Sequence, residues 1–454
     1  MRAVLSSLIT CLCLAPAFGA DGTVDRLTSP AGHAFLFMAM PDANAVAIEI
    51  SWPSDWAYAE DRNPAVPYVG ADSILYSGAG DLEAGDFAEQ FADTLAEAYL
   101  IVGPDEVRGS LLAGPDELAE AARLANLALT DSKFEDQWLR RSRDSLAAGI
   151  EQSRAQTANQ GWDAARRAIL GDGPVYRFLS LPDPSVIDAV TRAEVMRWSD
   201  ETFTVGDIHV ALAGHISPEA AGAAIDILLD GLPMSEDVAE PTLEADFRPR
   251  RIVLVRPDAE KATLGFMGAL PPTREGGEYE DLAILSVLGG DDSSRLFEAI
   301  RTNLRASYGF GAGLSNFTRD TRFFVMAGEV DAKQLARASA LVRSTYETMR
   351  TQGIDAADIA ALKETFSADL GEMLRDPATV AAMILEAELD GSPESRIPEL
   401  GDELEAVTAA QINDRLRTVY PPADQLIEIV VSADPGIVED ACVIEAISEV
   451  DRCL

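Results

Sequence analysis

Apolar positions along the chain follow two rhythms. Runs such as AFLFMAM from Ala34, AVAIEISW from Ala45, IHVALAG from Ile208, RIVLVRP from Arg251, ATLGFMGAL from Ala262 and LIEIVVSA from Leu426 are short and rich in β-branched and aromatic residues. They predict strands. FEDQWLRRSRDSLAAGI from Phe134 and IDAADIAALKETFSADL from Ile354 carry apolar residues at helical spacing instead, and Leu139, Leu146 and Ile150 recur as Ile359, Phe366 and Leu370, each 220 residues later. VTRAEVMRW from Val190 is answered by VTAAQINDRL from Val407, and each is followed by an apolar strand. Self-similarity at an offset of 217 to 220 residues is too long for a solenoid and predicts two copies of one domain.

Within each copy the predicted order is two strands, a helix, two more strands, paired helices, and a last helix and strand. That irregular order predicts an α+β fold of two homologous domains, each a mostly antiparallel sheet with helices on one side. LPMSEDVAEPTLEADFRPR, from Leu232, is rich in proline and acid and has no apolar period. It reads as a linker over 232–250 between units at 21–231 and 251–454.

The first twenty residues change the picture of where the chain works. Arg2, an apolar run from Val4 to Leu14 and the small residues Ala17, Gly19 and Ala20 make a secretory leader over 1–20, which implies export to a periplasm. No other apolar run approaches membrane-spanning length. Two of the four cysteines lie in that leader. The other two, Cys442 and Cys453, are close enough to form a local disulfide in an oxidising space, two unrelated buried thiols being the alternative. With 76 acidic against 36 basic residues the formal net charge is −40. Such a surface repels nucleic acid and anionic membrane, and it either draws in cationic peptides or is an adaptation to salt.

Recognisable self-sufficient chemistry is scarce. The three histidines, His33, His209 and His215, include no pair spaced to place two imidazoles on one helix face. No nucleophile elbow and no phosphate loop occur, and LGGDDSS reads as a glycine turn and helix cap. The remaining signal is LGGDDSSRLFEAIRTNLRASYGFGAG, with Gly289, Gly290, Ser293, Ser294, Arg295, Leu296, Phe297, Arg301 and Tyr308, followed by Gly309, Gly311 and Gly313.

This motif, in the second copy of a duplicated domain of about 200 residues, resembles the insulinase/pitrilysin family of zinc peptidases, in its processing-peptidase-like branch. The resemblance implies that Arg301 grips a substrate carbonyl and that the Tyr308 hydroxyl donates to the oxyanion; Gly309, Gly311 and Gly313 alternate along the strand that follows and fit either a closely approaching substrate strand or a tightly packed sheet. The family's inverted zinc motif, His-x-x-Glu-His, would fall at Val69, Asp72 and Ser73, and its later glutamate ligand near Ala148 or Gly149. None of these residues replaces an imidazole or the missing later carboxylate, so the resemblance implies a chain without zinc. A chain that lacks zinc yet keeps Arg301 and Tyr308 implies one subunit of a heterodimeric metalloendopeptidase, complementing a zinc-bearing homologue that cleaves unfolded peptides. A structural or assembly subunit and a periplasmic peptide-binding protein are the alternatives. On Arg301 and Tyr308 alone, a solvated helix residue and a core strand residue remain open readings.

Overall fold

The computed structural model describes residues 22–180, 182–235, 242–394 and 396–454. The expected leader and the middle of the expected linker, 236–241, lie outside the described residues. Among the described residues twelve strands form two six-stranded sheets. The first contains β1 (Val24–Thr28), β2 (Ala34–Ala39), β3 (Val46–Pro53), β4 (Glu97–Val102), β5 (Glu106–Ala113) and β6 (His209–Gly214), in the order β1-β2-β6-β3-β5-β4. The second contains β7 (Arg251–Val255), β8 (Lys261–Leu270), β9 (Phe310–Asn316), β10 (Arg322–Asp331), β11 (Ile427–Ser432) and β12 (Cys442–Ile444), in the order β12-β7-β11-β8-β10-β9. The parallel pairs are β2 with β6, and β7 with both β11 and β12; the other neighbours are antiparallel.

Period-two alternation sets which face each side chain takes. In β3, Ile48, Ile50 and Trp52 join the core beneath the first half's own helices, while Ala47 points to the opposite face. That opposite face is covered as well. The helix Pro377–Leu389 of the second half packs Val380, Ala381, Ile384 and Leu385 against Leu36, Ala47, Ala211 and Ala213 of the first sheet. The helix Thr157–Leu170 of the first half places Ala164, Ala168 and Ile169 against Ile252, Leu254, Ile429 and Val431 of the second. The two helices begin 220 residues apart and are the same element of the repeat, so each half lends one helix to the other's sheet.

Each sheet therefore has helices on both faces, not on one as the element order suggested. The physical reason is visible in β3, β8 and β11, whose nearly continuous burial is typical of strands covered twice. Each isoleucine sealed in these cross-packed layers contributes roughly 2 kcal/mol by area removed from water.

Charge reinforces the junction. Arg319, in the turn between β9 and β10, donates from its guanidinium to Glu106 (3.1 Å), Glu386 (3.0 Å) and Asp390 (3.1 Å), and from its backbone N–H to Asp105 (2.9 Å). Arg108 bridges Glu106 (2.8 Å) and Glu386. Burial opposes ionisation of Glu386, but hydrogen bonds and charge from Arg108 and Arg319 outweigh it and hold the carboxyl below its ordinary range. After the second half of the expected linker packs Phe247 against Phe323 (ring centroids 5.6 Å apart), the chain enters β7. At the far end Cys442 on β12 is bonded to Cys453, closing the last eleven residues of separation onto the sheet edge.

Candidate functional site

The segment carrying Arg301 and Tyr308 is irregular in a way that follows from its hydrogen bonds. Phe297–Asn303 winds as a π-helix, and the Leu304 N–H reaches back five residues to the Ala299 carbonyl (3.0 Å). The wide turn buries Ala299 and Ile300 and leaves Arg301 exposed. Such turns insert an extra residue into a helix and recur at functional sites. Arg305 then adopts a left-handed backbone with φ of 56°, unusual for a residue with a Cβ. Ser307 is buried and pins the next step: its Oγ donates within reach of the Glu329 carbonyl (2.5 Å) and the Gly309 carbonyl (2.7 Å). With its neighbour anchored, Tyr308 projects outward and is 79% exposed.

Arg301 and Tyr308 are adjacent in space. The Arg301 guanidinium carbon lies 4.8 Å from the centre of the Tyr308 ring, and Lys261 Nζ lies 5.8 Å from it. Cations over an aromatic face are attracted by its quadrupole, and they leave the guanidinium N–H groups and the phenol O–H free at the rim. The pair borders an open depression of about 590 Å³. Tyr308 is therefore neither a core residue nor a strand residue; it stands in the turn before β9.

The two glycines differ. A Cβ added at Gly309 would meet nothing within 4 Å, so packing does not require glycine there, although its N–H is already engaged by Ser307 Oγ (3.1 Å). A Cβ at Gly311 would come 3.1 Å from the Gly289 carbonyl, and one at Gly289 would lie 2.3 Å from the Ala312 nitrogen. Gly311 is thus explained by the close passage of the helix Glu278–Gly289 along β9. β9 is the edge strand of its sheet.

The positions where the family resemblance places zinc ligands do not fit the metal. On the helix Val66–Ser73, Val69 and Ser73 are fully buried, and Ser73 Oγ donates to the Gly70 carbonyl (3.2 Å). Asp72 faces out, and Ala148 and Gly149 are exposed on the helix Asp136–Arg154. Among the described residues no group of three or more His, Cys, Asp or Glu side chains is arranged to hold a metal ion. No step through a metal is assigned to this chain. Likewise, no helix among the described residues is long and apolar enough to cross a membrane.

Sequence reading singled out neither Lys261 nor Arg305 nor Lys333, all of which line the depression. They come from separate stretches that only strand pairing assembles, Lys261 standing opposite Asp331 across β8 and β10. The left-handed position of Arg305, followed by Ala and Ser with no glycine, carried no turn signature that a residue pattern reveals.

The duplicated α+β scaffold, with two sheets and reciprocal helices, shares its fold with M16 peptidase-like structures. Residues 189–366 match the model described as the peptidase M16 inactive domain. The matched segment, which spans the end of the first half and much of the second, is of the inactive-domain type. The chain is 25% identical over 142 residues to an uncharacterised zinc protease, YmxG, of Bacillus subtilis, a match spanning 31% of this chain and 34% of that protein. Its fold is shared with the peptidase M16 inactive domain from Pseudomonas fluorescens, at a TM-score of 0.80 and 16% identity, covering 90% of this chain and 98% of that one. The periplasmic protease PqqL from Escherichia coli matches at a TM-score of 0.70 and 14% identity over 95% of this chain but only 50% of that protein.

Proposed function

We propose that this chain is the zinc-free subunit of a two-chain M16-type metalloendopeptidase, contributing Arg301 and Tyr308 in trans to a homologous subunit that holds the metal. The observation that carries the proposal is the contrast within the molecule. The first half fills the resemblance-derived ligand positions with core and exposed residues unfit for zinc, while the second holds Tyr308 open beside Arg301 at 4.8 Å. The PqqL match, which takes in half of a longer protease, is consistent with a subunit equivalent to half of a closed chamber.

In this reading the rim N–H groups of Arg301 orient a substrate carbonyl, and the Tyr308 O–H donates to that oxygen as negative charge develops on it. Donors aimed at developing charge are worth a few kcal/mol each in the barrier. A peptide laid along β9 would add a strand to the sheet edge, a mode that suits unfolded segments. The work is assigned to the periplasm, on the leader read at residues 1–20 and the compartment of the PqqL relative. The test is peptide hydrolysis by the assembled pair of subunits, comparing wild type with Arg301→Ala plus Tyr308→Phe after confirming that the variant still assembles. A fall of about tenfold or more is expected; unchanged activity would instead favour a scaffold role.

A further inference from the structure

The depression beside Tyr308 is electrostatically unlike the rest of the molecule. Lys261, Arg301, Arg305 and Lys333 line it, in a chain with 36 basic residues among 454 and a formal net charge of −40. Three carboxylates, Glu260, Glu329 and Asp331, line it too. Two are engaged: Lys261 Nζ lies 3.3 Å from Glu329, and the Asp331 carboxylate accepts the backbone N–H of Lys333 (2.8 Å). Arg301, Arg305 and Lys333 have no ion-pair partner among the described residues, and with four cations to three carboxylates the lining is net positive in a strongly acidic chain.

The backbone at Arg305 points the same way. Its φ of 56° is a region where glycine is unstrained and a side chain is not, and the flanking bonds impose it: the Ala306 N–H reaches the Ile300 carbonyl (3.0 Å) and the Ala306 carbonyl accepts from Asp331 (2.7 Å). An arginine held where glycine would relax the chain is a candidate functional residue. Its side chain lines the depression.

We infer that this depression binds a carboxylate of the peptide substrate, with Arg305 and Lys333 selecting it beside the carbonyl that Arg301 and Tyr308 take. The inference rests on the proposed peptide site and adds its substrate class: peptides bearing an acidic side chain or a free C-terminus next to the gripped bond, drawn to a local cationic patch that the surrounding acid surface otherwise repels. Both sources present the same group, and both are accessible to an open rim.

The experiment uses the full mature chain and four fluorescently labelled, unstructured Gly/Ser/Ala peptides, combining Glu or Gln in the sequence with a free or amidated C-terminus. At low salt the peptides bearing a carboxylate are expected to bind about fivefold or more tightly than the neutral amidated Gln peptide, with the gap closing as salt rises. Comparison of the Glu-amide and Gln-free-acid peptides identifies the source. Arg305→Gly and Lys333→Gln are each expected to remove most of the gap. Because Arg305→Gly also relieves the left-handed backbone, its Tm is expected to stay level or rise, so lost binding is not lost folding. Equal binding of all four peptides, no binding by any, or a preference that survives in both variants would overturn the inference. If all four bind equally while the Arg301→Ala plus Tyr308→Phe complex still loses hydrolysis, only the carboxylate selection fails and the proposed function stands.

Discussion

Val69 and Ser73 lie four residues apart on one helix, and both are fully buried. This is the residue-scale reason that exchanging side chains alone would not build a zinc site on this helix. Imidazoles placed there would overfill a packed core and bury polar nitrogens without partners, while Ala148 and Gly149 offer no later carboxylate. The variant Val69→His, Asp72→Glu, Ser73→His is therefore expected to lose about 3 kcal/mol or more of stability in urea unfolding and to bind zinc no better than wild type. Stable, tight zinc binding by that variant would mean that the helix faces a usable cavity. At this scale the sequence was informative where chemistry depends on residue type: Val, Asp and Ser cannot supply a His-x-x-Glu-His set. It was silent on exposure, and so left Tyr308 open between a core residue and a presented hydroxyl until Ser307 was seen to anchor the turn.

The decisive element is the junction of helix, π-turn and edge strand between Glu278 and Asn316. Glycine at 289 lets the helix pass against β9, where a Cβ would stand 2.3 Å from the Ala312 nitrogen and 2.8 Å from its Cβ. Gly289→Ala must push backbone against backbone and is expected to cost about 2 kcal/mol of stability. It should also raise hydrogen exchange along β9 more than along β11, and equal protection in both strands would contradict this account of the contact. Apolar rhythm made the strands and the repeated helices legible in the sequence. It did not reveal that Thr157–Leu170 and Pro377–Leu389 cross to the other half's sheet, because an amphipathic stripe specifies that a face is covered, not by which chain segment. The buried runs of β3 and β11 held the clue, since strict alternation is lost where both faces are sealed.

At the scale of the whole molecule, the reciprocal helices and the Arg319 cluster make the two halves one body. Arg319→Ala would leave Glu106, Glu386 and Asp390 crowded with only Arg108 to offset them, a change expected to cost about 2 kcal/mol near neutral pH. The sign with pH follows from Glu386. Its carboxyl is depressed in the folded wild type, so its stabilisation is present above the ordinary carboxylate range and is lost as pH falls through the folded value. In the variant that depression weakens and burial favours the protonated acid, so the stability deficit should shrink as pH drops from about 7 to about 5, read by parallel urea titrations. A deficit that widens with acid would contradict the assignment. A molecule so joined holds its Arg/Tyr rim on one rigid body, which is what the proposed two-chain enzyme requires of it. The most direct measurement is peptide hydrolysis by this chain and a separately purified zinc-bearing homologue from the same organism, assayed apart and mixed. Negligible cleavage by this chain alone is expected, with activity in the mixture well above that of the homologue and falling when Arg301 and Tyr308 are replaced. Cleavage by this chain alone, or a mixture no more active than the homologue by itself, would contradict it.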